Sequence, residues 1–105
     1  MPPLEELWKI VNRIPAGRIT SYGEVGRAFK HPASGYFVGR WMTQCPPEVP
    51  WWRVVGKDGS ILLGKRSPEL GLEQQTRLIA EGVNVEGGRA SASAFVNPDD
   101  LLDPN

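Results

Sequence analysis

The sequence predicts a mainly α-helical domain with a winged-helix-like architecture, made of a helix-turn-helix, a small β-hairpin wing and a closing C-terminal helix. Three observations support this prediction. Apolar residues recur at steps of three and four over residues 4–14, which indicates an amphipathic helix. Helix-capping serines at positions 21 and 34 mark the starts of two short helices, and a turn signal at Asp58-Gly59 separates two apolar runs. A chain of 105 residues has room for one such domain.

The first two helices each have a recognisable start or stop signal. Pro15 ends the first, and Ser21 with Glu24 three residues later forms a capping box that opens the second. A short turn at residues 30–32 follows the second helix. We expect the two helices to bury Leu4, Leu7, Trp8, Val11 and Ile14 in the first and Val25, Ala28 and Phe29 in the second.

The third helix is predicted to begin after Ser34 and to run to about Thr43. Its expected buried residues are Phe37, Val38, Trp41 and Met42. Its opposite stripe carries Tyr36, Arg40 and Thr43, spaced four and three. Two short helices joined by a tight turn, with polar and aromatic side chains exposed on the second, are typical of a helix-turn-helix.

The C-terminal half is predicted to contain the wing and one further helix. Prolines at 46, 47 and 50 favour an extended loop, and R-V-V and S-I-L-L flank G-K-D-G as strands would flank a hairpin turn. Ser67 and Pro68 begin the last helix and Gly82 ends it, with Leu72, Leu78 and Ile79 expected inward. We therefore assign the domain to residues 1–86 and expect 87–105 to be a mobile tail, anchored at most at Phe95 and Val96.

The net charge of zero conceals an uneven distribution along the chain. Residues 9–66 carry ten basic side chains against three carboxylates, or +7, whereas residues 67–105 carry two arginines against seven carboxylates, or −5. A basic segment followed by an acidic one is expected of a protein that binds a polyanion on one face. Charge alone does not distinguish a nucleic-acid-binding face from chance clustering of basic residues on a solvated surface.

The composition also limits the compartment and the chemistry. One cysteine permits no internal disulfide, and no apolar run approaches the ~20 residues of a membrane-spanning helix. We expect a monomer located in the cytoplasm, or in the nucleus if the source is eukaryotic, with no membrane partner. We expect no cofactor and no metal site.

The most informative segment is residues 49–55, V-P-W-W-R-V-V, because adjacent tryptophans follow a proline-stiffened loop. This segment resembles the P-C-H-R-V-V/I signature of the O6-alkylguanine-DNA alkyltransferases in their C-terminal domain. It is more similar still to the P-W-x-R-V-V/I of their non-enzymatic relatives, the alkyltransferase-like proteins. I-P-A-G-R-I-T-S-Y-G-E-V and R-L-I-A-E-G-V match two further segments of the family in the same order, so the resemblance runs from about residue 4 to 86.

The resemblance implies that this chain cannot carry out alkyl transfer. The position of the acceptor cysteine holds Trp51 and that of the neighbouring histidine holds Trp52. Alkyl transfer needs a thiolate and a base that generates it, and an indole is neither. Glu81 matches the family's relay carboxylate but has nothing to relay to. Cys45 falls at the position of a hinge asparagine, so we expect it to be a half-buried free thiol, and His31 to be a turn residue.

What the resemblance retains is a pocket for an extruded base. Trp51 would lie beside the O6-alkyl group, Tyr22 would press on the phosphate 3′ to the target, and the Val54 carbonyl would accept from the guanine amine. Arg66 is expected to line the pocket, with Lys65 as the alternative. Arg53 is expected to support the loop and not to contact DNA.

The helix-turn-helix is expected to bind the duplex, by resemblance through the minor groove. Its DNA-binding residues would be Ser34, Tyr36, Gly39, Arg40 and Thr43. The family places an arginine that fills the gap left by the flipped base where this chain has Tyr36. Tyr36 is therefore the predicted finger, and Arg40, one turn further on, is the alternative.

Together these features predict a protein that binds double-stranded DNA containing O6-alkylguanine, flips the damaged base and holds it without chemistry. The resemblance adds a link to nucleotide excision repair proteins as partners. Two alternatives remain at this stage: a winged-helix regulator that reads intact DNA, and an active alkyltransferase that uses Cys45. The first would need more base-reading side chains than the third helix offers, and the second would need a thiol at position 51.

Overall fold

A computed structural model describes residues 2–103. The helices are α1 (Leu4–Val11), α2 (Tyr22–Arg27), α3 (Gly35–Trp41), α4 (Leu63–Arg66) and α5 (Pro68–Ala80). The strands are β1 (Thr20–Ser21), β2 (Val54–Val55), β3 (Val85–Glu86) and β4 (Arg89–Ala90). The predicted mainly helical class is confirmed, and α2 and α3 form the expected helix pair.

The serine caps that predicted the helix starts are present. Ser21 Oγ accepts from the Glu24 N–H at 3.1 Å and opens α2, and Ser34 Oγ accepts from the Phe37 N–H at 3.4 Å and opens α3. Ser67 caps α5 in the same way, with Pro68 in its first turn. These signals depend on only three or four neighbouring residues, so the sequence alone is sufficient to locate them.

The parallel pair β1–β2 lies between two parts of the hydrophobic core. Thr20 pairs with Val54, and Ser21 pairs with Val55. Because successive strand residues point to opposite faces, Val54 packs with α1, α2 and α3, whereas Val55 packs with Ile19 and Leu78. Both valines are completely buried, so β2 fixes the loop before it against the centre of the domain.

The predicted wing is wrong in its position. Residues 54–55 pair with β1 and not with the S-I-L-L segment, and residues 56–60 form a turn in which the Gly56 N–H donates to the Ser60 carbonyl at 2.8 Å. α4 follows where the second strand was expected. The antiparallel hairpin is instead β3–β4, which turns at Gly87 and Gly88, both with positive φ.

Several residues expected in the core are exposed. The side chains of Phe37, Leu72 and Ile79 are 51%, 66% and 56% exposed, while Trp41 and Met42 are half-buried. α5 buries a different stripe, Gly71, Gln74 and Leu78, at steps of three and four. α1 is also shorter than predicted and ends at Val11, although Ile14 is still buried in the turn after it.

The segment after residue 86, expected to be a mobile tail, packs on the domain. Ile19 lies alongside it, donating to the Ala94 carbonyl and accepting from the Val96 N–H, both at 2.9 Å. Arg18 donates to the Phe95 carbonyl and Arg13 to the Leu101 carbonyl, both at 2.7 Å. Leu101 is completely buried, so a boundary at residue 86 divides a continuous core.

Candidate functional site

A cavity of about 440 Å³ lies between α3, the loop after it and the helices α4 and α5. Its walls include Trp51, Tyr22 and Arg66, which are three of the four residues predicted for the lesion pocket. Lys65, the alternative to Arg66, is exposed outside it. A larger groove of about 840 Å³ beside α1 shares no residue with this cavity and contains none of the predicted site residues.

Val54, the fourth predicted residue, does not line the cavity. Its side chain is buried in the core, and its carbonyl accepts from Gln74 Nε2 at 2.8 Å. Gln74 also donates to the Trp52 carbonyl at 3.1 Å. The carbonyl expected to receive a guanine amine is therefore already held by α5, a contact that needs a buried glutamine and that sequence reasoning missed.

The loop that presents Trp51 is tied down by one ion pair. Arg53 Nη2 lies 2.6 Å from Glu81 Oε2, and the two side chains are only 15% and 16% exposed. Arg53 Nη1 also donates to the Ile14 carbonyl at 2.8 Å, and the Gly17 N–H donates to Glu81 Oε1 at 3.0 Å. Arg53 therefore joins the loop to the end of α5 and to the turn after α1.

Glu81 is held ionised by these contacts. Its burial raises the pKa of the carboxyl, but hydrogen bonds from Arg53, Gly17 and Trp52, together with the charge of Arg53, outweigh that effect and leave the pKa below its usual value. The Trp52 indole N–H donates to Glu81 Oε2 at 3.1 Å. The ionised carboxylate thus anchors the indole of Trp52.

The two adjacent tryptophans form an edge-to-face pair. Their ring centroids are 5.9 Å apart and their planes make an angle of 87°. This geometry suits aromatic pairs because the positive edge of one ring meets the negative face of the other. Trp51 borders the cavity, whereas Trp52 packs against the second part of the core. One tryptophan therefore forms the cavity wall and the other supports it.

Tyr22 and Arg66 are two of the polar side chains in the cavity wall, together with Thr43 and Glu73. Burial raises the pKa of the Tyr22 phenol and the positive charge of Arg66 lowers it, with burial the stronger influence. The phenol is therefore protonated at neutral pH and can donate a hydrogen bond. Arg66 is exposed at the end of the short helix α4.

Cys45 also lines the cavity, although its thiol is poorly suited to react. Burial, with a smaller contribution from Glu48, raises the pKa of the thiol to about 11. The Sγ atom lies 3.5 Å from the Pro46 carbonyl. A nucleophilic cysteine needs a lowered pKa and a nearby base or cation, and this one is protonated at neutral pH. His31 is exposed in the turn before α3.

The exposed stripe of α3 carries the residues predicted to meet DNA. Tyr36 is 67% exposed, and Arg40 Nη1 donates to its hydroxyl at 3.1 Å. Thr43 donates to the Arg40 carbonyl at 2.7 Å. Gly39 and Tyr22 border both the main cavity and a cleft of about 220 Å³ that Tyr36 and Arg40 line. Ser34 is exposed at the start of the helix.

Residues 2–103 contain neither a metal-binding cluster nor a membrane-spanning helix. No group of three or more His, Cys, Asp or Glu side chains in this range could hold a metal ion. No helix within it is long and apolar enough to cross a membrane.

Comparison with known proteins identifies the family of the chain. Residues 3–83 match the family described as 6-O-methylguanine DNA methyltransferase, DNA binding domain. The chain is 38% identical over 85 residues to the DNA base-flipping protein of Escherichia coli, and the aligned segment covers 79% of this chain and 64% of that protein. It is 36% identical over 83 residues to alkyltransferase-like protein 1 of Schizosaccharomyces pombe, which covers 76% of this chain and 75% of that protein.

A solved structure extends the likeness to the whole fold. The crystal structure of S. pombe Atl1 in complex with damaged DNA containing O6-carboxymethylguanine superposes with a TM-score of 0.67 at 30% identity and covers 100% of both chains. The chain spans about 64% of the length of the E. coli relative, so the family match concerns this domain. The chain belongs to the family of the 6-O-methylguanine DNA methyltransferase DNA-binding domain.

Proposed function

We propose that the protein binds duplex DNA containing O6-alkylguanine, rotates the damaged nucleotide into the cavity beside Trp51, and holds it there without alkyl transfer. The observation that carries this proposal is the indole of Trp51 in the cavity wall, at the sequence position where the related enzymes have their acceptor thiol. The S. pombe relatives bound to DNA and the base-flipping proteins of the family support the same function.

The cavity offers what an extruded base needs. Flipping costs a few kcal/mol and costs least for a mispaired or damaged base, while contact with an aromatic side chain recovers ~1–3 kcal/mol per base. Trp51 supplies the aromatic wall, Tyr22 a hydroxyl donor and Arg66 a cation at the rim. A volume of about 440 Å³ falls within the range of ordinary small-molecule pockets.

The same residues support binding without chemistry. Trp51 and Trp52 cannot accept an alkyl group or remove a proton, and Glu81 is fully engaged by Arg53, Trp52 and Gly17. Cys45 reaches the cavity as a protonated thiol with a pKa of about 11. A flipped base would therefore meet no competent nucleophile.

The exposed stripe of α3 is the proposed DNA-binding surface. Tyr36, at 67% exposure, is the side chain that would stack in the gap left by the flipped base, because its ring stands free of the core. Arg40 donates to the Tyr36 hydroxyl and would neutralise a phosphate. One helical turn of ~5.4 Å separates their backbones, more than a base-pair step, so Arg40 is placed to meet a phosphate when Tyr36 fills the gap.

A protein that marks damage without repairing it requires partners that complete the repair. We propose nucleotide excision repair proteins in this role, and a monomeric protein acting in the compartment that holds the DNA, cytoplasmic or nuclear. The repair partners are proposed from the family resemblance, and the compartment from the single cysteine, which suits a reducing environment.

The proposal is tested with two duplexes that differ only by one O6-methylguanine. Fluorescence titration should give tighter binding to the damaged duplex, and incubation with DNA labelled in the O6-methyl group should leave no label on the protein. Equal affinity for the two duplexes would refute the recognition of damage. Stoichiometric label on Cys45 would refute binding without transfer.

A further inference from the structure

Arg77 on α5 contacts both Trp51 and Trp52, although it neither lines the cavity nor takes part in the Arg53–Glu81 ion pair. Its guanidinium carbon lies 4.5 Å from the ring centroid of Trp52 and 6.0 Å from that of Trp51. Its Nε donates to Glu73 Oε2 at 3.0 Å, and Glu73 borders the cavity. Arg77 therefore contacts both tryptophans and a carboxylate that borders the cavity.

Trp52 is restrained from several directions. Glu81 accepts from its indole N–H, Gln74 donates to its carbonyl, and the guanidinium of Arg53 lies 5.3 Å from its ring. The guanidinium of Arg77 lies closer to this ring than that of Arg53. An indole held at its nitrogen, its backbone and its π-face has little freedom to tilt.

Trp51 depends on this restrained neighbour. Its ring meets that of Trp52 edge to face at 5.9 Å, and the guanidinium of Arg77 lies 6.0 Å from its centroid. The orientation of the cavity wall is therefore set by Trp52, and the orientation of Trp52 by Arg77 and Glu81. A wall that stacks on a base must keep its orientation when the cavity is empty, because each rotamer that binding has to fix lowers the affinity.

We infer that Arg77 is a positioning residue for damage recognition, acting through Trp52 on the Trp51 wall. The inference rests on the proposed function and adds a residue outside the DNA-contacting set. Arg77 and Glu73 lie one turn apart on α5, so their ion pair holds the guanidinium in place over the tryptophans. The cation then strengthens the contact with the ring that faces it.

The test compares Arg77→Gln and Arg77→Lys with Arg27→Gln as the matched control. Arg27 makes a similar helix-surface ion pair, with Glu24 at 3.1 Å, away from the tryptophans. Arg77→Gln should weaken binding to the O6-methylguanine duplex by roughly 2- to 5-fold while changing undamaged binding less than 2-fold. Arg77→Lys retains the cation and should recover at least half of the lost preference. Arg27→Gln should lower the affinities for both duplexes equally or not at all.

Circular dichroism of the free protein gives a second readout that a purely structural role would not change. Two indoles at 5.9 Å couple their transitions, so Arg77→Gln should alter the tryptophan signal while the melting temperature stays close to that of Arg27→Gln. An unchanged tryptophan signal, or an unchanged preference for damage in Arg77→Gln, would overturn the positioning role and leave the proposed function intact. A wild-type protein without any preference for damage would overturn both.

Discussion

Replacing Glu81 by alanine should destabilise the domain more than replacing either of the other two ion-paired carboxylates described above, Glu24 and Glu73. The substitution leaves the Arg53 guanidinium, 15% exposed, without its ion-pair partner and removes the acceptor of the Gly17 and Trp52 N–H groups. Breaking a buried ion pair from one side costs about 3–5 kcal/mol. Because the side chains keep some exposure, we expect the lower end, about 3 kcal/mol.

The assay is thermal unfolding followed by circular dichroism, with Glu73→Ala as the matched control. A loss of about 3 kcal/mol should lower the melting temperature by roughly 12 °C or more in a domain of this size. The Glu73–Arg77 pair is 45% and 43% exposed, so Glu73→Ala should cost only ~0.5 kcal/mol. If the two variants melt within ~2 °C of each other, Glu81 does not anchor the loop and the reasoning is refuted.

Three further predictions concern protonation and the DNA surface. The pKa of Glu81 is lowered in the folded protein, so its contribution to stability is complete above the pKa of the unfolded chain and is lost as the pH falls through the folded value. Glu81→Gln should therefore flatten the acid limb of a curve of unfolding free energy against pH. An unchanged acid limb would contradict this. The raised pKa of Cys45, about 11, predicts that its alkylation by iodoacetamide accelerates roughly tenfold per pH unit up to about pH 10. A rate that is half-maximal near pH 8.5 would show an ordinary thiol and contradict this. Tyr36→Ala should abolish the preference for damaged DNA, whereas Arg40→Ala should weaken both duplexes alike and lower the salt slope by ~1; the reverse pattern would make Arg40 the finger.

The sequence was sufficient for features that depend on near neighbours. Ser21, Ser34 and Ser67 each cap a helix within three residues, and Gly82 with its φ of +90° follows the end of α5. The cavity residues Trp51, Tyr22 and Arg66 were found through the family motif, which carries three-dimensional information that periodicity lacks. Leu63 and Leu70, which also line the cavity, had no such signal.

The main errors concern contacts between distant parts of the chain. Val54 and Val55 pair with Thr20 and Ser21, more than 30 residues away, and no local pattern distinguishes that pairing from a hairpin with the next apolar run. The buried stripe of α5 contains Gln74, whose Nε2 satisfies two carbonyls of the tryptophan loop. A reading that places apolar residues inside assigns Leu72 and Ile79 to that face instead.

The most direct test of the central claim is the preference of the wild-type protein and of Trp51→Ala for a duplex containing O6-methylguanine over its undamaged counterpart. Removing the aromatic wall should weaken binding to the damaged duplex by ~1–3 kcal/mol and leave undamaged binding nearly unchanged, so that the preference disappears. Trp51→Phe should keep part of it. An equal loss of affinity for both duplexes would contradict the account, because Trp51 would then contribute only to folding.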